Sequence, residues 1–128
     1  MSASFFLVEE IEFPDETKSN VDQSLVAEAQ RSGARRKYLA RGEGGFYSQV
    51  SWFPAGYTVP PHRHDHNEMI MVLEGSLSLL GGGPSLGPLD SMVLEAGHEY
   101  GFTAGDAGMT FLTVRTGQAS TDLSSASG

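Results

Sequence analysis

From Phe46 onward the chain is built of short runs in which apolar and polar residues alternate, each run closed by a turn signal. Phe46–Phe53 is followed by Pro54-Ala55-Gly56, and Val59–His64 by Asp65-His66-Asn67. Glu68–Glu74 ends at Gly75, and Ser76–Leu80 ends at Gly81-Gly82-Gly83-Pro84. Ser91–Glu95, Glu99–Thr103 and Met109–Thr116 complete the series, closed by Ala96-Gly97, Ala104-Gly105-Asp106 and Gly117. Period-two alternation marks strands with one buried face, and many short strands at near-regular spacing predict a β-sandwich or barrel.

The first third reads differently. Phe5–Phe13 predicts a short strand or arm closed by Pro14. Asn20 or Asp22 can cap a short helix through Gln30, with Val21, Leu25, Val26 and Ala29 at helical spacing and Gly33 as its stop. Arg35, Arg36, Lys37 and Arg41 are four of the chain's eight basic residues. They read as a solvated edge strand, where charge blocks strand addition. The division expected is an arm and helix over 1–34, a barrel over 35–117 and a disordered Ser/Gly/Ala-rich tail over 118–128.

Length and charge narrow the function. A chain of 128 residues, 39% of them hydrophobic, holds one domain with a real core. The absence of cysteine excludes disulfides, thiolate metal sites and cysteine nucleophiles, and fits a cytoplasmic location. No stretch reads as a signal peptide or membrane span. A net charge of −8 repels phosphate backbones and anionic lipid, so neither nucleic acid nor membrane is expected as a partner.

The chemistry concentrates in His62-Arg63-His64-Asp65-His66-Asn67-Glu68. In a strand, His62 and His64 leave the same face and can meet one ion. Glu68 shares their parity, but along one straight strand it would lie roughly 20 Å from His62 at about 3.3 Å per residue. The chain must therefore reverse between His64 and Glu68, which Asp65 and Asn67 favour, bringing Glu68 back on the neighbouring strand. Two imidazoles and a carboxylate leave positions for substrate and oxygen or water, as in non-haem Fe(II) oxygenases. His66, between turn residues, is expected at the rim or in solvent, and His98 on the surface. Met69, Met71, Met92 and Met109 are expected as core, and Trp52 and Phe53 as core or pocket wall. Gln49 and Arg115 are further polar residues at candidate inward positions. The glycine run before Pro84 lacks the lysine and helix of a phosphate loop and reads as a turn.

Gly56, His62, His64, Glu68 and Gly75, at intervals of five, one, three and six residues, resemble the first motif of the cupin superfamily at every position. The resemblance covers Tyr38 to Thr116. It implies an all-β jelly-roll barrel, the double-stranded β-helix, with one divalent ion on His62, His64 and Glu68, and often a homodimer. Ligand type does not choose among Fe, Mn, Ni, Co and Zn. The second motif departs from the family pattern. Anchored on Asp90 and Gly97, its first glycine falls on Leu89, its proline on Glu95, its asparagine on Ala104, and its histidine, the usual fourth ligand, on Tyr100. Candidates for the fourth position are Tyr100, His98, His66 or water. A phenol of ordinary pKa is a poor ligand at neutral pH, so Tyr100 is read as a catalytic-site hydrogen bonder or substrate contact. Two functions remain open: a metal-dependent enzyme on a small organic substrate, of dioxygenase type first and isomerase or lyase next, or a non-catalytic ligand- or metal-binding barrel.

Overall fold

The computed structural model describes residues 2–15, 23–24, 26–27 and 33–118. The expected helix lies largely outside the described residues, as does the tail from 119. Among the described residues the architecture is an antiparallel jelly-roll barrel of seven strands: β1 (Arg35–Arg41), β2 (Tyr47–Phe53), β3 (Thr58–His62), β4 (Glu68–Leu79), β5 (Ser85–Leu86), β6 (Ser91–Leu94) and β7 (Tyr100–Arg115). The path runs β1-β2-β7-β4-β5, with β3 also on β7 and β6 also on β4. The C-terminal half of β7 lies between β2 and the start of β4. Its N-terminal half lies between β3 and the end of β4.

Two pairs of expected strands turn out to be single long ones. Gly75 does not end β4, and Ala104-Gly105-Asp106 does not end β7. Gly75 has a φ of +76° and faces Met109 across the ladder. A Cβ built on it would lie 2.0 Å from the Gly108 carbonyl oxygen. The glycine thus permits two backbones to approach more closely than any side chain allows, so here it makes a crease and not a terminus. The register shifts on both sides of it, and burial changes parity: Glu68, Ile70 and Val72 face inward before the crease, Leu77 after it.

The basic run forms the edge strand β1, as its charge predicts. Its cations lie over aromatic rings: Arg35 and Lys37 over Phe13 at 4.3 and 4.7 Å, and Arg41 over Tyr38 at 4.5 Å. Phe5–Phe13 forms no strand. It is an arm with one 3-10 turn at Val8–Glu10, tied to β1 where Lys37 Nζ donates to the Val8 carbonyl at 2.9 Å. Phe13 packs edge-on against Trp52, so Trp52 faces the arm and not a pocket.

The core fills one end of the barrel with Ile70, Val72, Leu77, Leu86, Leu94, Phe102, Ala104, Met109 and Phe111. Phe53 and Met92 pack against this cluster. Met69 and Met71 do not join the core: they are half-buried on the outer side of β4, as their odd parity dictates. The same strands continue from this apolar end into a buried polar layer holding Gln49, Ser51, His62, His64, His66, Glu68, Thr113 and Arg115.

Candidate metal centre

The segment from His62 to Val72 alternates without a break between buried even and less buried odd positions, although β3 stops at His62 and β4 begins at Glu68. His62, His64, His66 and Glu68 are therefore all interior. The chain does not reverse into a hairpin between His64 and Glu68 as expected. β3 pairs with the start of β7, His62 opposite Tyr100, while β4 opens between β6 and the end of β7, with Glu68 opposite both Leu94 and Arg115. The connection crosses a corner of the barrel, and the two ends of β7 meet at Glu68.

Glu68 is the hub. Arg115 Nε donates to its Oε2 at 2.8 Å, and the Tyr100 hydroxyl donates to its Oε1 at 2.5 Å. Arg115 Nη1 donates in turn to Gln49 Oε1 at 2.7 Å, and Gln49 Nε2 to Ser51 Oγ at 3.3 Å. Burial pushes the Glu68 carboxyl up. The Arg115 guanidinium, His64 and the Tyr100 hydrogen bond outweigh it and hold the group below the usual carboxylate range. Tyr100 moves the other way. Burial, then the negative charge and hydrogen bond of Glu68, raise its hydroxyl far above the ordinary tyrosine value, so it stays a neutral donor.

The histidines are set by their acceptors. His62 Nδ1 donates to the Pro60 carbonyl at 2.9 Å, which leaves Nε2 with the lone pair. Burial lowers the His62 pKa against the smaller opposing effects of that hydrogen bond and Glu68, favouring the neutral ring that metals bind. Its ring lies 4.9 Å from that of His64 and 4.4 Å from that of Tyr100. His64 Nε2 lies 3.5 Å from Glu68 Oε2 and 3.3 Å from the Tyr100 oxygen. The one phenol proton is committed to Glu68, so a proton or a cation must sit between His64 Nε2 and these oxygens.

His66 overturns its expectation. It is 8% exposed, and its Nε2 is buried with no hydrogen-bond partner. The ligand atoms of His64, His66 and Glu68 all lie within 4.8 Å of one another, while His62 stands outside that group beside His64. Parity was the signal that could have found His66, since it shares the even positions of its neighbours. Imidazole and carboxylate donors around an orphaned, buried nitrogen fit a divalent cation. His98 is exposed, as expected. Leu89, where the second motif has glycine, keeps a glycine-like backbone with φ +72°, which supports the register that places Tyr100 at the histidine position.

Several solved structures share this architecture. KdgF from Halomonas sp. is 21% identical, with 89% of this chain and 93% of that one covered and a TM-score of 0.68. An RmlC-like cupin from Shewanella frigidimarina is 20% identical over 89% and 90%, with a TM-score of 0.67. The polyketide cyclase RemF from Streptomyces resistomycificus is 18% identical over 94% and 84%, with a TM-score of 0.68. At these identities the likeness is one of fold. No curated protein matches the chain in sequence. The family model described as "Cupin domain" matches residues 50–115, from β2 through the last residue of β7, and the chain belongs to that family.

Proposed function

We propose that this cupin is a metal-dependent enzyme acting on a small organic substrate inside the barrel, with one divalent ion on His62, His64 and Glu68. A dioxygenase-type reaction is the first assignment, and isomerase or lyase chemistry the next. The observation that carries the reading is the convergence of buried imidazoles on a carboxylate held ionised by Arg115. The similarity to a polyketide cyclase supports a small organic substrate. When bound, the ion supplies a Lewis acid with open positions for substrate oxygen and dioxygen. The chain's own residues supply the rest. Pro60 fixes the His62 tautomer and Arg115 orients Glu68. Tyr100 keeps its proton beside the carboxylate, placed to contact substrate or the ion's outer sphere. The same reading includes a homodimer, since β1 leaves an open sheet edge beside an arm whose Phe5 and Leu7 are exposed.

Elemental analysis of protein purified without chelators tests the site. About one ion per chain is expected, lost in the His62→Ala/His64→Ala variant; equal metal content in the two proteins refutes the placement. Oxygen uptake or substrate conversion that stops on chelation supports catalysis. Metal binding without turnover across carbonyl and enol substrates moves the protein to the non-catalytic, ligand-binding class.

A further inference from the structure

Resting on that metal reading, we infer that His66 supplies through Nε2 the ligand that the second motif withholds at Tyr100, and that Asp65 positions its ring. Two of the four fourth-ligand candidates fail on geometry. His98 is exposed on the outside of the barrel. Tyr100 is a neutral phenol whose proton is held by Glu68. Water alone leaves unexplained why an imidazole nitrogen is buried here without a partner. An orphaned buried nitrogen costs the fold free energy that an apolar side chain would not, so its retention calls for a ligand.

His66 is built for that ligand. Its Nδ1 donates to Asp65 Oδ1 at 3.1 Å, which turns Nε2 away from that carboxylate and leaves it as the nitrogen that can face a ligand. Pro60 does the same for His62 with a backbone carbonyl, so two rings are held in one tautomer by two different acceptors. Asp65 itself is 85% exposed, so its contact contributes little to stability and mainly selects the tautomer. The His66 ring stacks on His64 with centroids 5.1 Å apart and planes 23° from parallel. One ligand atom of the ring lies within 4.8 Å of ligand atoms from His64 and Glu68, and Nε2 is the ring nitrogen that is buried and left without a partner.

The backbone beneath His66 is fixed. Gly97 N donates to the His64 carbonyl, and Ala96 N to Asn67 Oδ1, at 2.8 and 2.9 Å. Asn67 N donates to Thr116 Oγ1, and Thr116 N to the Asn67 carbonyl, both at 3.1 Å. The turn is thus clamped to the β6–β7 connection on one side and to the chain just after β7 on the other. Gly117 leaves room for the ring, since a Cβ there would lie 3.2 Å from His66 Cβ. Asp65, His66, Asn67, Thr116 and Gly117 also border a cavity of about 490 Å³.

The test uses the full chain stripped with a chelator and reloaded with Co²⁺. Affinity is read by competition with a chromophoric chelator, and coordination by the visible spectrum. His66→Ala and His66→Gln should each weaken Co²⁺ at least 100-fold and change the spectrum. Asp65→Ala should weaken it about 10-fold, as loss of an orienting partner does, while Asp65→Asn, which keeps an acceptor for Nδ1–H, should recover most of that loss. His98→Ala should match wild type, and far-UV circular dichroism checks the fold of each variant. Wild-type affinity in folded His66 variants, or weaker binding with an unchanged spectrum, overturns the assignment and leaves the metal reading standing. A wild-type chain that takes up no Co²⁺ overturns the metal reading itself.

Discussion

Arg115→Met in the metal-free protein isolates the electrostatic logic of the site. Methionine keeps the length of the side chain and removes the cation, so Glu68 Oε2 loses its guanidinium donor and Gln49 Oε1 its donor. At 2.8 Å the gross attraction between Arg115 and Glu68 is about 6 kcal/mol for an effective dielectric of 20. Desolvating two buried ions costs several kcal/mol each, so the intact pair contributes little net stability. Removing one partner is another matter, because the desolvation of Glu68 is then uncompensated. The expected loss is about 3–5 kcal/mol, or roughly 12–20 °C in Tm for a domain near this size. The same substitution at exposed Arg35, whose guanidinium stacks on Phe13, should cost about 1 kcal/mol or less. Adding Glu68→Gln to Arg115→Met should recover stability, with a coupling of at least about 2 kcal/mol. Urea unfolding of the four proteins in chelator-treated buffer measures the cycle. An Arg115→Met cost below about 1 kcal/mol, or strict additivity, would refute the buried-pair reasoning.

Tyr100→Phe should keep metal stoichiometry by elemental analysis while weakening turnover or substrate binding, at a stability cost of about 1–3 kcal/mol from the lost hydrogen bond to Glu68. Gly75→Ala should cost at least about 3 kcal/mol in urea denaturation, because the Cβ strikes the Gly108 carbonyl at a positive φ; a neutral effect would remove the crease from the account of the fold. Leu89→Gly should stabilise by about 0.5–1 kcal/mol in Tm measurements, since it relieves a left-handed backbone at a side chain 74% exposed. Light scattering at micromolar concentration should give the mass of a homodimer, and a monomeric mass would exclude it.

The barrel was legible because alternation and turn residues are local signals. The strands β2, β3 and β6 fall within a residue or two of the runs that announce them. Gly75 and Gly105 were misread because a glycine signals both a chain end and a close approach, and only the partner strand distinguishes the two. His66 was legible by parity but was assigned to the turn, since Asp65 and Asn67 are strong turn residues. The burial pattern shows that alternation continues through the turn. Gln49 and Arg115 were visible only as polar residues at candidate inward positions. Their contact joins residues 66 apart, which no local pattern encodes. The degraded second motif puts Tyr100 at the histidine position, and the left-handed backbone of that motif is kept at Leu89 even though its glycine is not.

The candidate donors crowd into seven residues, but the groups that orient Glu68 come from far along the chain: Tyr100 is 32 residues away and Arg115 is 47. On the proposed metal reading, an unfolded chain would keep its imidazoles and carboxylate near one another and would lack only their arrangement. Closing loops of that length costs entropy that short-range contacts do not, so the orienting network forms only once distant strands have paired. The donors are thus local in sequence, and the groups that shape them are not. On the proposed metal reading, what the closed barrel adds to binding is the difference between a floppy peptide chelate and a preorganised one, and metal would stabilise the fold only by that difference.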